Sequence, residues 1–264
     1  VAAENPLTLP PPPLVPDTPA DATVSSNANS ALGTNLFTFA SYAPEWVFVD
    51  QFLKSRQWIA GMRYPNGSCG AVWDTGRLMT LDTEGWVTDA PSDVCPHTIL
   101  MDSSARPNDY PTGTYVVLWE GEGQLNAGLA ASNFRVTMPG RATYDVINFT
   151  SGVDLVIEQF NRTNPIRNIR VIMPGGVCGV NSDQLDYFQG CATSRGGEGI
   201  CPPNKTCYDF EQVYWNRFAD PITEMHHPKV VFHPTTLDRL KKYRVIRFMD
   251  WMKTNNSTLA TWAQ

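Results

Sequence analysis

The feature that most constrains this chain is a series of short segments, between about residues 58 and 175, in which apolar and polar residues alternate. Turns rich in Gly, Asn, Asp and Pro separate seven such segments, namely WIAGMRY, RLMTLDT, TYVVLWEG, FRVTMPG, TYDVINF, VDLVIEQF and NIRVIMPG. A period of two places every second side chain on the same face of a strand. Seven short strands at this spacing predict a mainly β fold built on an antiparallel β-sandwich, of the immunoglobulin-like or jelly-roll type.

A helical pattern precedes these strands in the segment YAPEWVFVDQFLKSRQW. Pro44 suits a first helical position, because its missing N–H would have no partner there in any case. Trp46, Val49, Phe52 and Leu53 recur at spacings of three and four, which places them on one helix face. The segment therefore predicts an early amphipathic helix.

The six cysteines are even in number, and their spacings do not fit zinc, which usually has CxxC pairs or interleaved histidines. We predict three disulfides, one of them between Cys69 and Cys95, which flank the early strands. The other four are expected to pair among themselves within a Gly- and Pro-rich stretch: Cys178, Cys191, Cys201 and Cys207. Such a stretch buries little apolar surface, so disulfides are expected to hold it together.

Sequons for N-glycosylation agree with the oxidising compartment that disulfides require. They predict exposed glycan sites at Asn66, Asn148, Asn161 and Asn204, with Asn255 and Asn256 competing for one glycan. No apolar run reaches the ~20 residues of a membrane span, and Val1 in place of Met predicts a processed chain. These features predict a secreted, extracellular or cell-surface glycoprotein.

Charge and motifs narrow the function classes. The net charge of −6 argues against nucleic acid as the main partner, because phosphate binding needs a basic surface. The chain has no P-loop, G-x-S-x-G or H-E-x-x-H motif. His226, His227 and His233 are interpreted as surface or packing residues. We therefore predict no cofactor, no metal site and no catalytic residue.

Composition divides the chain into four predicted segments: a Pro-rich extended arm (1–31), the β-sandwich (32–174), a Cys-rich insertion (175–229) and a helix–strand fragment (230–264). In the arm, Pro10–Pro13 favours a polyproline II rod. The arm also carries four apolar groups that a solvated linker rarely has: Leu7, Leu9, Leu14 and Val15. Two readings stay open for the arm, a flexible spacer and a segment that docks on another copy of the chain by strand addition.

The last segment has the pattern of a helix at 235–243 followed by a strand at 244–251. Together with the strand at 168–174, these elements predict a βαβ fragment interrupted by the Cys-rich insertion. Such a fragment belongs to a parallel sheet and resembles the start of an α/β barrel.

Several stretches resemble the amino-terminal part of a family of large secreted proteins. They are LGTNLFTFASYAPEWVFVDQFLKSRQWI, LDTEGWVTD, PTGTYVVLWEGEGQL, RNIRVIMPG and HPTTLDRLKKYRVIRFMDWMKTNNSTLATWA. In that family, a sandwich similar to carbohydrate-binding modules precedes a barrel similar to glycoside hydrolases. The resemblance implies an association with polysaccharide. The insertion at 175–229 departs from the family pattern.

Under this resemblance, Asp250 and Trp251 lie at the carboxyl end of an early barrel strand, where they could contact a sugar. Glycosidases need two carboxylates across the scissile bond, and those usually lie on later strands. Trp73, Trp86 and Trp119 could form a sugar-stacking platform, although a core position is the favoured reading for each.

Three functions follow from the sequence. The first is a structural subunit of an extracellular assembly such as a fibril or a surface layer. This subunit would contact other copies through the arm and the sandwich. The second is a carbohydrate-binding module. The third is the front of a polysaccharide hydrolase. The apolar arm and the open edge expected around residues 244–251 favour the structural subunit.

Overall fold

The computed structural model describes residues 33–36, 41, 47–70, 74–102, 111–148, 151–179, 185–188, 204, 206–213, 231–241, 243 and 245–248. The strands are β1 (Gly33–Leu36), β2 (Ile59–Met62), β3 (Thr80–Leu81), β4 (Val87–Asp89), β5 (Val94–Met101), β6 (Gly113–Glu120), β7 (Gly123–Leu129), β8 (Ala131–Met138), β9 (Arg141–Val146), β10 (Val153–Phe160), β11 (Arg167–Ile172), β12 (Gly176–Gly179), β13 (Leu185–Phe188), β14 (Thr206–Asp209) and β15 (Val245–Phe248). The helices are a 3₁₀ turn (Gln51–Lys54), α1 (Phe210–Val213) and α2 (Pro234–Leu240).

Two four-stranded antiparallel sheets form the main body, which we call the two-sheet body. One sheet has the strand order β2-β5-β10-β7, and the other has the order β11-β6-β9-β8. All pairings in both sheets are antiparallel. The prediction of a mainly β chain with antiparallel sheets is confirmed, while the immunoglobulin-like or jelly-roll assignment stays a prediction.

Both sheets contribute side chains to one apolar core. Leu125, Leu155 and Ile157 come from the first sheet, and Tyr115 and Tyr144 from the second, and all are buried. Each core residue alternates along its strand with a residue of the opposite face, as the period of two requires. At typical transfer energies, a fully buried Leu or Ile side chain contributes about 1.5–3 kcal/mol to folding.

The predicted early helix is wrong for the described part of its segment. Val49 accepts a backbone hydrogen bond from Met173 and donates one to Val231, so its N–H and C=O bond to distant chain. Asp50 is extended, and its carboxylate accepts from the N–H groups of Phe52 (2.9 Å) and Val171 (2.8 Å). Within residues 47–58, the 3₁₀ turn at 51–54 is the one helical stretch, because Asp50 caps it there and tertiary bonds take the preceding backbone groups.

The Cys-rich insertion contributes to the core, contrary to the expectation that it buries little. Strands β12, β13 and β14 form a three-stranded antiparallel sheet in the order β13-β12-β14. Val177 and Phe210 are buried within the main core. Arg141 donates two hydrogen bonds to the Glu211 carboxylate, at 2.6 and 2.7 Å, which fastens α1 to β9.

A second unit of the chain combines residues 33–36 with residues 240–248. Here β1 and β15 pair in parallel, from Gly33 opposite Val245 to Leu36 opposite Phe248. The helix and strand predicted near the end of the chain are present as α2 and β15. The predicted βαβ unit is not confirmed, because β15 pairs with β1 while β11 pairs with β6 in an antiparallel sheet. The four-segment division stays a prediction.

Candidate functional site

Strand β8 lies at the edge of its sheet and exposes apolar side chains. Val136 is 60% exposed and Met138 is 50% exposed. Among the described residues, β9 is the one strand that pairs with β8, so the outer side of β8 has no partner strand there. An edge strand presents N–H and C=O groups that can pair with another chain. We call residues 131–138 the β8 edge and consider it the candidate site.

The apolar side of the core extends to the β8 edge. Val136 lies opposite Ala142, a fully buried core residue, so both side chains point to the core-facing side of the sheet. Phe134 packs against the same core from the edge. Leu129, 51% exposed, ends β7, the edge strand of the other sheet, and Ala130 joins β7 directly to β8. Two neighbouring sheet edges therefore carry apolar groups that are partly open to solvent.

Asp145 of β9 holds the middle of β8 where the ladder is irregular. The register shifts between Ser132 and Arg135, and Asn133 has a positive φ of 55°. There the Asp145 carboxylate accepts from the Asn133 amide (3.1 Å) and from the Thr114 hydroxyl (2.7 Å), and it lies 3.8 Å from the Arg135 guanidinium. The side chain of Arg135 remains 52% exposed. The β8 edge thus has an exposed guanidinium near its centre, with the Asp145 carboxylate of β9 beside it.

Two sequons share one local geometry. The Asn66 carboxamide oxygen accepts from the Ser68 N–H (3.1 Å) and hydroxyl (2.7 Å), and Asn161 accepts in the same way from Thr163 (2.9 and 2.6 Å). These are Asx turns. Asn66, Asn148 and Asn204 are exposed, and Asn161 is half-buried. The remaining two sequons, Asn255 and Asn256, lie outside the described residues.

The sequons of the two-sheet body lie at its ends. Asn161 follows β10 and Asn66 follows β2, and these strands finish at the same end because β5, between them, is antiparallel to both. Asn148 follows β9 at the opposite end. Residues 123–138, which form β7 and the β8 edge, contain no sequon.

The predicted bond between Cys69 and Cys95 is present. Cys178 and Cys207 are also disulfide-bonded, and they lie opposite each other on β12 and β14. Since Cys69 and Cys95 bond to each other, the bonds of Cys178 and Cys207 stay within the predicted set of four. The other two members, Cys191 and Cys201, lie outside the described residues.

An aromatic cluster lies beside the 3₁₀ turn. Phe52 stacks on Trp86, with ring centroids 5.4 Å apart and planes 19° apart, and it contacts Trp58 at 6.3 Å. All three are half-buried against the core. The turn that carries Trp86 is fixed by Asp82, whose carboxylate accepts from the Trp86 N–H (2.8 Å) and the Glu84 N–H (3.0 Å). We call Phe52, Trp58 and Trp86 the aromatic cluster.

A buried ion-pair candidate, which sequence reasoning missed, crosses the first sheet. His97 Nδ1 lies 2.7 Å from Asp154 Oδ2, and each side chain is 4% exposed. His97 fits over Gly61 and Asp154 fits over Gly128, because a Cβ on either glycine would collide with these side chains. Asp154 Oδ1 and His97 Nε2 have no hydrogen-bond partner among the described residues. Such close packing favours a structural role for the pair.

The other predicted site residues are dispersed. Trp119 is buried in the core, Trp86 belongs to the aromatic cluster, and Trp73 lies outside the described residues. Asp250 and Trp251, the predicted sugar contacts, also lie outside them. Within the described ranges, no cluster of three or more His, Cys, Asp or Glu side chains could hold a metal ion. Nor does any helix in those ranges have the length and apolar character needed to span a membrane.

No protein family, no curated protein and no solved structure matches this chain.

Proposed function

We propose that the protein is a structural subunit that associates with other copies of itself, through strand addition at the β8 edge, in an extracellular assembly. The observation that carries this proposal is an eight-residue edge strand whose Val136 and Met138 side chains are at least half exposed. Main-chain pairing gives such an interface its affinity, and alternate side chains give it its specificity.

The protection of the β8 edge is incomplete. Natural edge strands avoid unwanted pairing through charges, prolines, bulges or covering segments. The β8 edge has one charged residue, Arg135, and an irregular ladder, but it has no proline and it keeps two exposed apolar side chains. An exposed apolar strand in a protein that stays in solution is commonly an interaction surface.

The disulfides and sequons support the extracellular part of the proposal. A bond between Cys69 and Cys95 persists in oxidising compartments. Glycans at Asn66, Asn148 and Asn161 would lie at the two ends of the two-sheet body, whereas residues 131–138 contain no sequon. Asn148 lies two residues beyond Val146, which pairs with Ala131 at the start of β8, so the rest of the edge is the part that glycans leave open.

The test is the oligomeric state of the purified, glycosylated chain, measured by light scattering across a concentration series. We expect self-association in the wild type and its loss in Val136→Lys, which places a second charge on the edge. Leu78→Lys is the matched control, because Leu78 is 89% exposed and lies away from β8. A wild type that stays monomeric at all concentrations, or an equal loss in both variants, rejects the proposal.

The aromatic cluster favours carbohydrate binding as a second candidate function. Half-buried aromatic rings can stack on the apolar face of a sugar, and Asp82 and Glu84 supply nearby polar groups. This candidate agrees with the resemblance to proteins that contain a carbohydrate-binding-like domain. It predicts that the chain is retained on insoluble polysaccharide and that Trp86→Ala releases it. Equal retention of Trp86→Ala and the wild type would reject it.

A further inference from the structure

We propose that the strand added to the β8 edge is the segment Asn5–Leu9 of another copy's arm. This inference rests on the proposed function, since it names the occupant of the same edge. Three properties of the sequence ENPLTLP carry it: the positions of its prolines, the alternation of its apolar residues and its charge.

The two prolines of the segment, Pro6 and Pro10, are four residues apart, so their backbone groups point to the same side of an extended strand. In a strand, the N–H and C=O of one residue point to one neighbour and those of the next residue point to the other side. If Asn5, Leu7 and Leu9 direct their backbone groups to β8, then Pro6 and Pro10 face away, where a missing N–H costs no ladder bond. The outer side of the added strand is then a poor template, so addition stops after one strand.

Leu7 and Leu9, the apolar residues of the segment, are among the residues whose N–H groups would point to β8. Leu7 and Leu9 are two residues apart, so their side chains lie on one face of the strand, while Thr8 lies on the other. In an antiparallel register with Leu7 opposite Phe134, Leu7 would contact the half-buried Phe134 and, diagonally, Val136 on the core-facing side. In the same register Glu4 would lie opposite Thr137, diagonally across from Arg135 on the other face. The arm thereby extends the apolar core by one strand and covers side chains that the single copy leaves open.

Charge favours the arm over a second β8 strand. The arm has three carboxylates, Glu4, Asp17 and Asp21, and no Lys or Arg. Arg135 is the one charged residue of the β8 edge, and Glu4 directly precedes the proposed strand. Pairing of β8 with β8 of another copy about a central two-fold axis would instead bring the two Arg135 side chains close together, and like charges across strands are destabilising.

Proline variants one residue apart test the inference in the full-length chain. Because the backbone N–H of Thr8 would point away from β8, Thr8→Pro removes no ladder bond and should leave self-association within about twofold of the wild type. Leu7→Pro removes a ladder bond and an apolar contact, so it should weaken self-association by about tenfold or more. Leu14→Pro is the control for a proline elsewhere in the arm, and light scattering is the readout.

Exchanging the two charges provides a second, independent test. Arg135→Glu should weaken association, and Glu4→Arg in the same chain should restore much of it. If Val136→Lys abolishes association while Leu7→Pro does not change it, the proposed function holds and this inference is overturned. Equal losses in Thr8→Pro and Leu7→Pro also overturn it. A monomeric wild type overturns the proposed function itself.

Discussion

Tyr115 and Tyr144 stack face to face on neighbouring strands, with ring centroids 5.2 Å apart and planes 5° apart, but their hydroxyls differ. The Tyr115 hydroxyl donates to the Pro111 carbonyl at 2.8 Å. The Tyr144 hydroxyl is buried and has no hydrogen-bond partner among the described residues. Burial, with a smaller effect from the charge of Asp154, raises the pKa of Tyr144 well above its usual value. The two rings therefore form a matched pair for mutation.

Replacing each tyrosine by phenylalanine should have unequal effects at neutral pH. Tyr115→Phe loses a hydrogen bond and leaves a carbonyl without it, so the free energy of unfolding should fall by about 0.5–1.5 kcal/mol. Tyr144→Phe removes a hydroxyl that has no partner, so stability should change little. Urea unfolding of both variants measures the difference. A larger loss for Tyr144→Phe would contradict the assignment.

The raised pKa of Tyr144 predicts a loss of stability at alkaline pH. The unfolded chain releases the phenolic proton near pH 10, while the folded chain retains it to higher pH. Above pH 10 the unfolded state thus binds fewer protons, and the free energy of unfolding falls as pH rises. Tyr144→Phe should reduce this fall, and absorbance near 295 nm should show the delayed ionisation of one tyrosine. An unchanged pH profile in the variant would count against a buried phenol.

Removing one partner of the buried pair should be costly. Asp154→Ala leaves the His97 imidazole buried without its carboxylate, and losses of about 3–5 kcal/mol are typical when a buried pair is broken in this way. Asp93→Ala is the control, because Asp93 contacts Arg77 at the surface, where both side chains are 55% exposed. That pair should contribute about 0–1 kcal/mol. Chemical denaturation measures the free energy of unfolding of both variants. A loss in Asp154→Ala as small as that in Asp93→Ala would show that the His97–Asp154 contact contributes little to stability.

The two glycines under this pair should resist substitution. A Cβ on Gly61 would lie 2.8 Å from the Cys95 carbonyl oxygen and would also collide with the His97 ring. A Cβ on Gly128 would meet chiefly Asp154 Oδ1, at 2.6 Å, which belongs to a side chain that can move. We expect Gly61→Ala to destabilise by about 1–3 kcal/mol and Gly128→Ala by less. Thermal unfolding followed by circular dichroism tests the order.

Glycan mapping tests the prediction that the chain is a secreted glycoprotein. Chain secreted from a eukaryotic host should carry glycan at Asn66, which is exposed, and at Asn161, although the Asn161 amide also donates to Glu122 at 2.8 Å. Asn66→Gln and Asn161→Gln should each lower the mass by one glycan, and the double variant by two. Mass spectrometry before and after enzymatic deglycosylation provides the measurement. No mass change in either variant would remove the sequon argument for secretion.

Burial in β6 and β10 does not follow a strict period of two, since five successive residues are buried in each. Pattern reading still predicted much of the two-sheet body, including β6, β10 and β11, because short runs of β-branched, aromatic and other apolar residues bounded by turn residues predict strands. It missed β5, a central strand, since Pro96 argues against a strand interior. The structure tolerates Pro96 because the register of β10 along β5 ends at His97. It also missed β7, whose Gly123 and Gly128 lower its strand propensity.

The site itself depends on relationships that local patterns do not contain. The sequence FRVTM has the same alternating pattern as a strand in the middle of a sheet. Its exposure follows from the position of β8 at the edge of its sheet, which the pattern does not reveal. His97 and Asp154 are 57 residues apart, and no spacing rule links them. The early helix failed for a similar reason, since the bonds that Asp50 and Val49 form with distant chain outweigh a helical pattern.

The bond between Cys69 and Cys95 closes a ring across 26 residues that includes β3, β4 and Trp86. Leu78, the most exposed of the large apolar residues in the described chain, lies inside this ring. Proteases prefer such exposed segments. A cut near Leu78 would therefore give a nicked protein whose two pieces stay covalently joined and separate only after reduction.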